Sequence, residues 1–184
     1  MESWKKAAVL ASIGAAAILF MKKRYPAGVL ATGAGLALLA MAEDISLAGL
    51  VLLSAWLDLT VTAASYSVNA ATDPLFSSES ARLAAELYLQ GLSARDPLAS
   101  PLFARVSGFP PTFISVGRGE VLADDSSGFH AALQAAAVPA ELSVVAGMNH
   151  IAVVRDAAAP GAAETFAAIG AFIDRRVKIP LQRP

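Results

Sequence analysis

Cysteine is absent from the 184 residues, which excludes disulfides, thiolate metal sites and a Cys nucleophile. Histidine occurs only twice and in no H-E-x-x-H pattern, so neither a catalytic zinc nor any other cofactor is expected. Charge is scarce and balanced: 14 basic against 15 acidic residues leave a net charge of −1. Nothing in that balance favours nucleic acid or an acidic partner. No Ser stands in a Gly-x-Ser-x-Gly setting, so the strained elbow that presents a nucleophilic hydroxyl is not recognisable. Apolar residues, by contrast, are plentiful at 56%. Much of that excess lies before Asp58, in a chain long enough for one domain with a sizeable core.

The first residues are unusually poor in charge. Ala7 to Met21 is uncharged, bracketed by Lys5-Lys6 and Lys22-Lys23-Arg24, and from Tyr25 to Leu57 the only charges are Glu43 and Asp44. A membrane-spanning helix needs about 20 apolar residues, so shorter runs read as buried helix and strand. The rival reading is a membrane anchor or helical hairpin with basic flanks across Ala7–Ala42. A cleaved signal peptide fits less well, because basic residues directly follow the first run. Residues 1–47 are therefore expected to form an Ala/Gly-rich, apolar, helical N-terminal region, and 48–184 a second region of different character. The location expected is cytoplasmic, or membrane-associated through the N-terminus.

From Ala48 the pattern is that of a parallel sheet. Ala48–Ser54, Pro111–Val116 and Glu141–Val145 are short continuous apolar runs, as strands buried on both faces require. Between the last two the spacing predicts a helix from about Leu122 to Ala137, closed by Val138-Pro139. A final amphipathic helix is predicted over Ala162–Arg176, with Phe166, Ile169, Phe172 and Ile173 on one face. Strands alternating with helices imply crossover connections in an α/β fold. Trp56, Phe113, Ile114, Val144, Phe166, Ile169 and Phe172 are expected in one core between the sheet and the final helix.

Chemistry concentrates at two strand ends. Gly117-Arg118-Gly119-Glu120 follows one predicted strand, and Gly147-Met148-Asn149-His150 follows the next. An acid after one strand and a lone His after the following one match the acid–base half of a Ser-His-Asp/Glu apparatus. Asp124 and Asp125 compete with Glu120 as the acid, but at a helix start they suit its N-terminal dipole better. His130 lies inside a predicted helix and reads as a surface residue.

Beyond these features, Ser54–Thr60, Asn69–Leu75, Asp96–Phe103, Phe109–Phe113 and Gly147–His150, in that order, resemble the hormone-sensitive-lipase-like branch of the α/β-hydrolases. These are bacterial carboxylesterases related to acetyl-esterases and lipases, and the resemblance covers about Ala48 to Arg176. It implies the C-terminal half of an α/β-hydrolase: a parallel sheet with flanking helices, and Ser65–Leu92 as an insertion carrying an amphipathic segment over Ala81–Leu89. It places the general base at His150 and the triad acid at Glu120. Where the family commonly has Asp before its Glu, this chain has Gly119, and Ile151-Ala152-Val153 stand where the family has a bulky aromatic near its His.

The nucleophile is the departure. Counting back from Trp56 sets the family's elbow near Arg24–Gly28, with Pro26 at the Ser position. Ser12, in Leu10-Ala11-Ser12-Ile13-Gly14, follows a plausible strand Ala7–Ala11, keeps only the trailing Gly and is the alternative nucleophile. The family's His-Gly-Gly oxyanion loop is missing too. The resemblance implies carboxylic-ester hydrolysis by serine-type acyl transfer, here incomplete or impaired, with a small acyl ester as substrate. The alternatives are a non-catalytic, degenerate relative serving as partner or scaffold, or a truncated reading frame. An open sheet edge would allow a homo-oligomer.

Overall fold

The computed structural model describes the backbone at residues 8–13, 17–18 and 30–31, and backbone with side chains over 47–152 and 156–176. Its first elements are β1 (Ala8–Ile13), β2 (Ala17–Ile18) and β3 (Leu30–Ala31), followed by β4 (Leu47–Leu53). The segment after β4 holds α1 (Ser65–Val68), α2 (Ser78–Leu89) and a 3-10 turn at Pro101–Phe103. Then come β5 (Thr112–Gly117), α3 (Ala123–Ala135), β6 (Ala140–Val145) and α4 (Ala162–Arg176).

Strands β1, β4, β5 and β6 form one sheet in that order, every neighbouring pair parallel. β2 and β3 pair separately and antiparallel. The α/β class, the parallel sheet and its flanking helices are as the sequence implied. What differs is the N-terminal region, whose described residues are extended rather than helical. A short apolar run such as Ala8–Ile13 carries no periodicity that separates strand from helix, and pairing with β4 decides it. Pro26 and the residues of the proposed membrane run other than β1, β2 and β3 lie outside the described residues. Among the described residues no helix is long and apolar enough to cross a membrane.

Successive strand residues face opposite sides of the sheet, and here each side has its own core. Leu50, Leu52 and Ile114 pack with Phe129 and Leu133 of α3. Val51, Leu53 and Phe113 pack with Ala162 and Phe172 of α4, the Phe172 ring lying against Gly49. The single core expected around α4 is thus corrected. Ile114 belongs to the opposite face from its neighbour Phe113, and Trp56 packs with Phe76 and Leu59 in the segment after β4. Val144 and Phe166 are 38% and 48% exposed, so neither belongs to a core.

Segment 55–109 leaves the C-terminal end of β4 and returns to the start of β5, as a crossover between parallel strands must. Helix α2 starts at a capping box in which Ser77 and Ser80 bond each other's backbone and side chain. It buries Ala81, Ala85 and Leu89 against Tyr66, Trp56, Leu59 and Ala99. This is the amphipathic helix expected in the insertion, and it covers the loop that carries the acid.

Candidate active site

Three consecutive strands of the sheet each end in a polar residue of the site. Ser54 follows β4, Glu120 lies three residues beyond the end of β5, and His150 follows β6 by way of a turn at Gly147, whose φ is +71°. Parallel strands deliver all three to the C-terminal edge, where open α/β sheets gather their ligand sites.

Glu120 and His150 meet there as expected: imidazole Nδ1 lies 3.0 Å from carboxylate Oε2. Both residues are buried, at 1% and 6% exposure, so the contact is shielded from solvent screening. With its proton on Nδ1 the imidazole donates to Glu120, which leaves Nε2 as a proton acceptor. The second carboxylate oxygen, Oε1, accepts from the Ser54 hydroxyl at 2.9 Å and from the Gly117 amide. A buried carboxylate needs such donors, because lost hydration is otherwise uncompensated. Gly117 has to be glycine, since a Cβ there would overlap the Met148 carbonyl oxygen and crowd Glu120 Oε1.

The acid loop is held from outside by the Asn69–Asp73 segment. Asn69 Nδ2 donates to the carbonyls of Arg118 and Glu120, and Thr72 Oγ1 donates to that of Gly119. The Val121 amide donates to Asp73 Oδ2. An Asn/Thr/Asp pattern with these spacings is a set of backbone clamps, a role the sequence did not reveal because the partners lie nearly fifty positions away.

The competing acids do other work. Asp124 Oδ2 accepts from the Ser65 amide at 2.8 Å. Asp125 is fully buried, and its Oδ2 accepts from the amides of Leu57 and Asp58, both at 2.9 Å. Neither touches the imidazole among the described residues. They sit in the first turn of α3, as the helix-terminus reading expects, and their oxygens in addition tie down the loop that follows β4. Burial pushes the Asp125 carboxyl up to about 7, against the lowering pull of its two backbone donors and with a further upward push from Asp58 and Asp124. The same burial, with Asp125 and Asp58 nearby, holds the Tyr66 phenol far above its ordinary range.

An aromatic does face the imidazole, though not from the stretch after His150. Phe76 stacks on it with ring centroids 5.4 Å apart and planes at 15°, and Trp56 packs edge-on against Phe76 at 5.3 Å. His130 is half-buried on α3 rather than fully on the surface. Ser12 falls inside β1, paired with Leu52 and one residue before the strand's end; its side chain lies outside the described residues. Among the described residues no group of His, Asp or Glu could hold a metal ion.

Comparison with known proteins bears on the fold and the family. A family model described as "alpha/beta hydrolase fold" matches residues 28–154, starting beyond Ser12. The chain is 35% identical over 146 residues to an esterase of Acinetobacter venetianus, covering 76% of this chain and 48% of that protein. An acetyl-hydrolase of Streptomyces hygroscopicus is 36% identical over 124 residues, 65% of this chain and 42% of its own. A crystal structure of an esterase from the bacterial hormone-sensitive lipase family superposes with a TM-score of 0.73 at 35% identity, over 78% of this chain and 48% of that one. The chain therefore spans about half the length of the relatives it matches. The family model, the relatives and the shared fold together show the family: the chain belongs to the hormone-sensitive-lipase-like α/β-hydrolases.

Proposed function

We propose that this chain carries the acid–base half of serine-type carboxylic-ester hydrolysis and is catalytically impaired as it stands. The observation that carries the reading is the buried Glu120–His150 contact at the C-terminal edge of the sheet. In that chemistry a hydroxyl oxygen attacks the ester carbonyl and gives its proton to His150 Nε2. Glu120 holds the ring and stabilises the imidazolium, which then protonates the departing alcohol; water releases the acyl group by the same route. The relatives named as esterase and acetyl-hydrolase suggest a small acyl ester as substrate.

Impairment rests on the missing hydroxyl and the missing oxyanion donors. No Gly-x-Ser-x-Gly or His-Gly-Gly occurs anywhere in the sequence. Each oxyanion donor lost costs about 2.7–4 kcal/mol of transition-state stabilisation. Ser12 is the remaining candidate nucleophile; it lies near the same sheet edge but within an extended strand, not on an elbow.

Hydrolysis of p-nitrophenyl acetate tests the proposal. The chain should turn over a few-fold to about tenfold faster than His150→Ala and show no burst, since a positioned imidazole alone gives weak general-base catalysis. A burst, with a loss of about a thousandfold or more in His150→Ala, would mean a complete apparatus and overturn the impairment. An identical rate in the His150→Ala variant would remove His150 from the chemistry.

A further inference from the structure

Two residues beside the Glu120–His150 pair hold backbone conformations that side chains disfavour. Ser54 has φ +46° and Ile151 has φ +48°, both in the left-handed region, where a β-branched residue such as Ile is a genuine outlier. They are bonded to one another: the Ile151 amide donates to Ser54 Oγ at 3.1 Å. The same hydroxyl donates its only proton to Glu120 Oε1 at 2.9 Å. Strain of this kind persists only where the surroundings over-determine it, and it gathers at functional sites.

We propose that Ser54 is a positioning residue that locks the imidazole of His150 onto Glu120 by clamping the two turns together. This rests on the acid–base reading of that pair. The hydroxyl fills both of its roles at once. As donor it fixes one carboxylate oxygen, so that the other faces Nδ1. As acceptor it fixes the peptide immediately after His150, and so the height of the ring above the sheet. An alanine keeps the fold's packing but supplies neither bond, leaving the Ile151 amide and one Glu120 lone pair unmet in a buried place. Ser54 is itself 1% exposed, and water cannot readily replace it. It acts through Glu120 and the His150 turn rather than on a substrate.

Imidazole NMR on the ¹⁵N-labelled full chain reads this directly, whether or not the protein turns over an ester. In the unaltered protein, His150 should be the Nδ1–H tautomer, with a hydrogen-bonded ring proton well downfield of the amides, assigned by its absence in His150→Gln. In Ser54→Ala that resonance should be lost and the tautomer should move toward the Nε2–H form. Glycine adopts φ +46° freely, so Ser54→Gly removes the hydroxyl while easing the turn, and it should lose the resonance equally. Ile151→Gly keeps the amide and should retain it. Leu133→Ala, a change in the core between the sheet and α3, should retain it too, which separates positioning from general loosening. Persistence of the resonance and tautomer in folded Ser54→Gly would overturn the role of Ser54 and leave the pair standing. Absence of the resonance in the unaltered protein would overturn the pair and the clamp together.

Discussion

At the scale of single residues, Asp125 carries the clearest consequence. Its carboxyl is raised from 3.8 to about 7 in the folded protein, chiefly by burial, so the fold favours the protonated form. The stability this group supports is therefore fully present below about pH 4 and is lost as pH rises through about 7, a decline on the order of a few kcal/mol. Asp125→Asn keeps an oxygen for the Leu57 and Asp58 amides and removes the titration. Urea unfolding at about pH 5 and about pH 8 should show the Asn variant gaining on the unaltered protein at the higher pH. Curves that stay parallel across that window would mean Asp125 does not titrate there. Its place in the fold was not readable from the chain, because an acid in a helix's first turn looks the same whether it serves that helix or a loop 67 positions away. Glu120 and His150 were readable, since strand-end position alone assigns both to one sheet edge.

Among the elements, the strands and helices were legible where apolar runs had clear ends. The final helix, predicted over Ala162–Arg176, forms over those residues, and the three predicted strands lie within a residue of β4, β5 and β6. Side assignment was not legible. Phe113 and Ile114 are adjacent on one strand and must point apart, so no single core can hold both. Helix α4 shows how the faces divide: Phe172 is fully buried over Gly49, Val51 and Phe113, while Phe166, about one and two-thirds turns earlier, is half-exposed. Phe172→Ala should accordingly cost about 3–5 kcal/mol, and Phe166→Ala within about 0.5 kcal/mol of nothing. Equal effects in thermal or chemical unfolding would mean that α4 presents a different face to the sheet. In the N-terminal region a strand over Ala7–Ala11 is one reading of the apolar run, and pairing with β4 selects it over a helix at Ala8–Ile13.

On the scale of the whole molecule, the chain covers about half of each relative's length, and within it a parallel sheet brings Glu120 and His150 into contact. On the proposed reading fold and chemistry come apart: His150 would be the base, and the sequence offers it no serine in a Gly-x-Ser-x-Gly setting. The central claim is that His150 is poised without a hydroxyl to activate. An organophosphonate that labels activated serines, followed by peptide mass mapping of the folded full chain, tests this most directly. The account predicts that no serine is labelled above the level seen in His150→Ala. Stoichiometric labelling of one serine, Ser12 above all, abolished by His150→Ala, would contradict it and make the chain a working esterase.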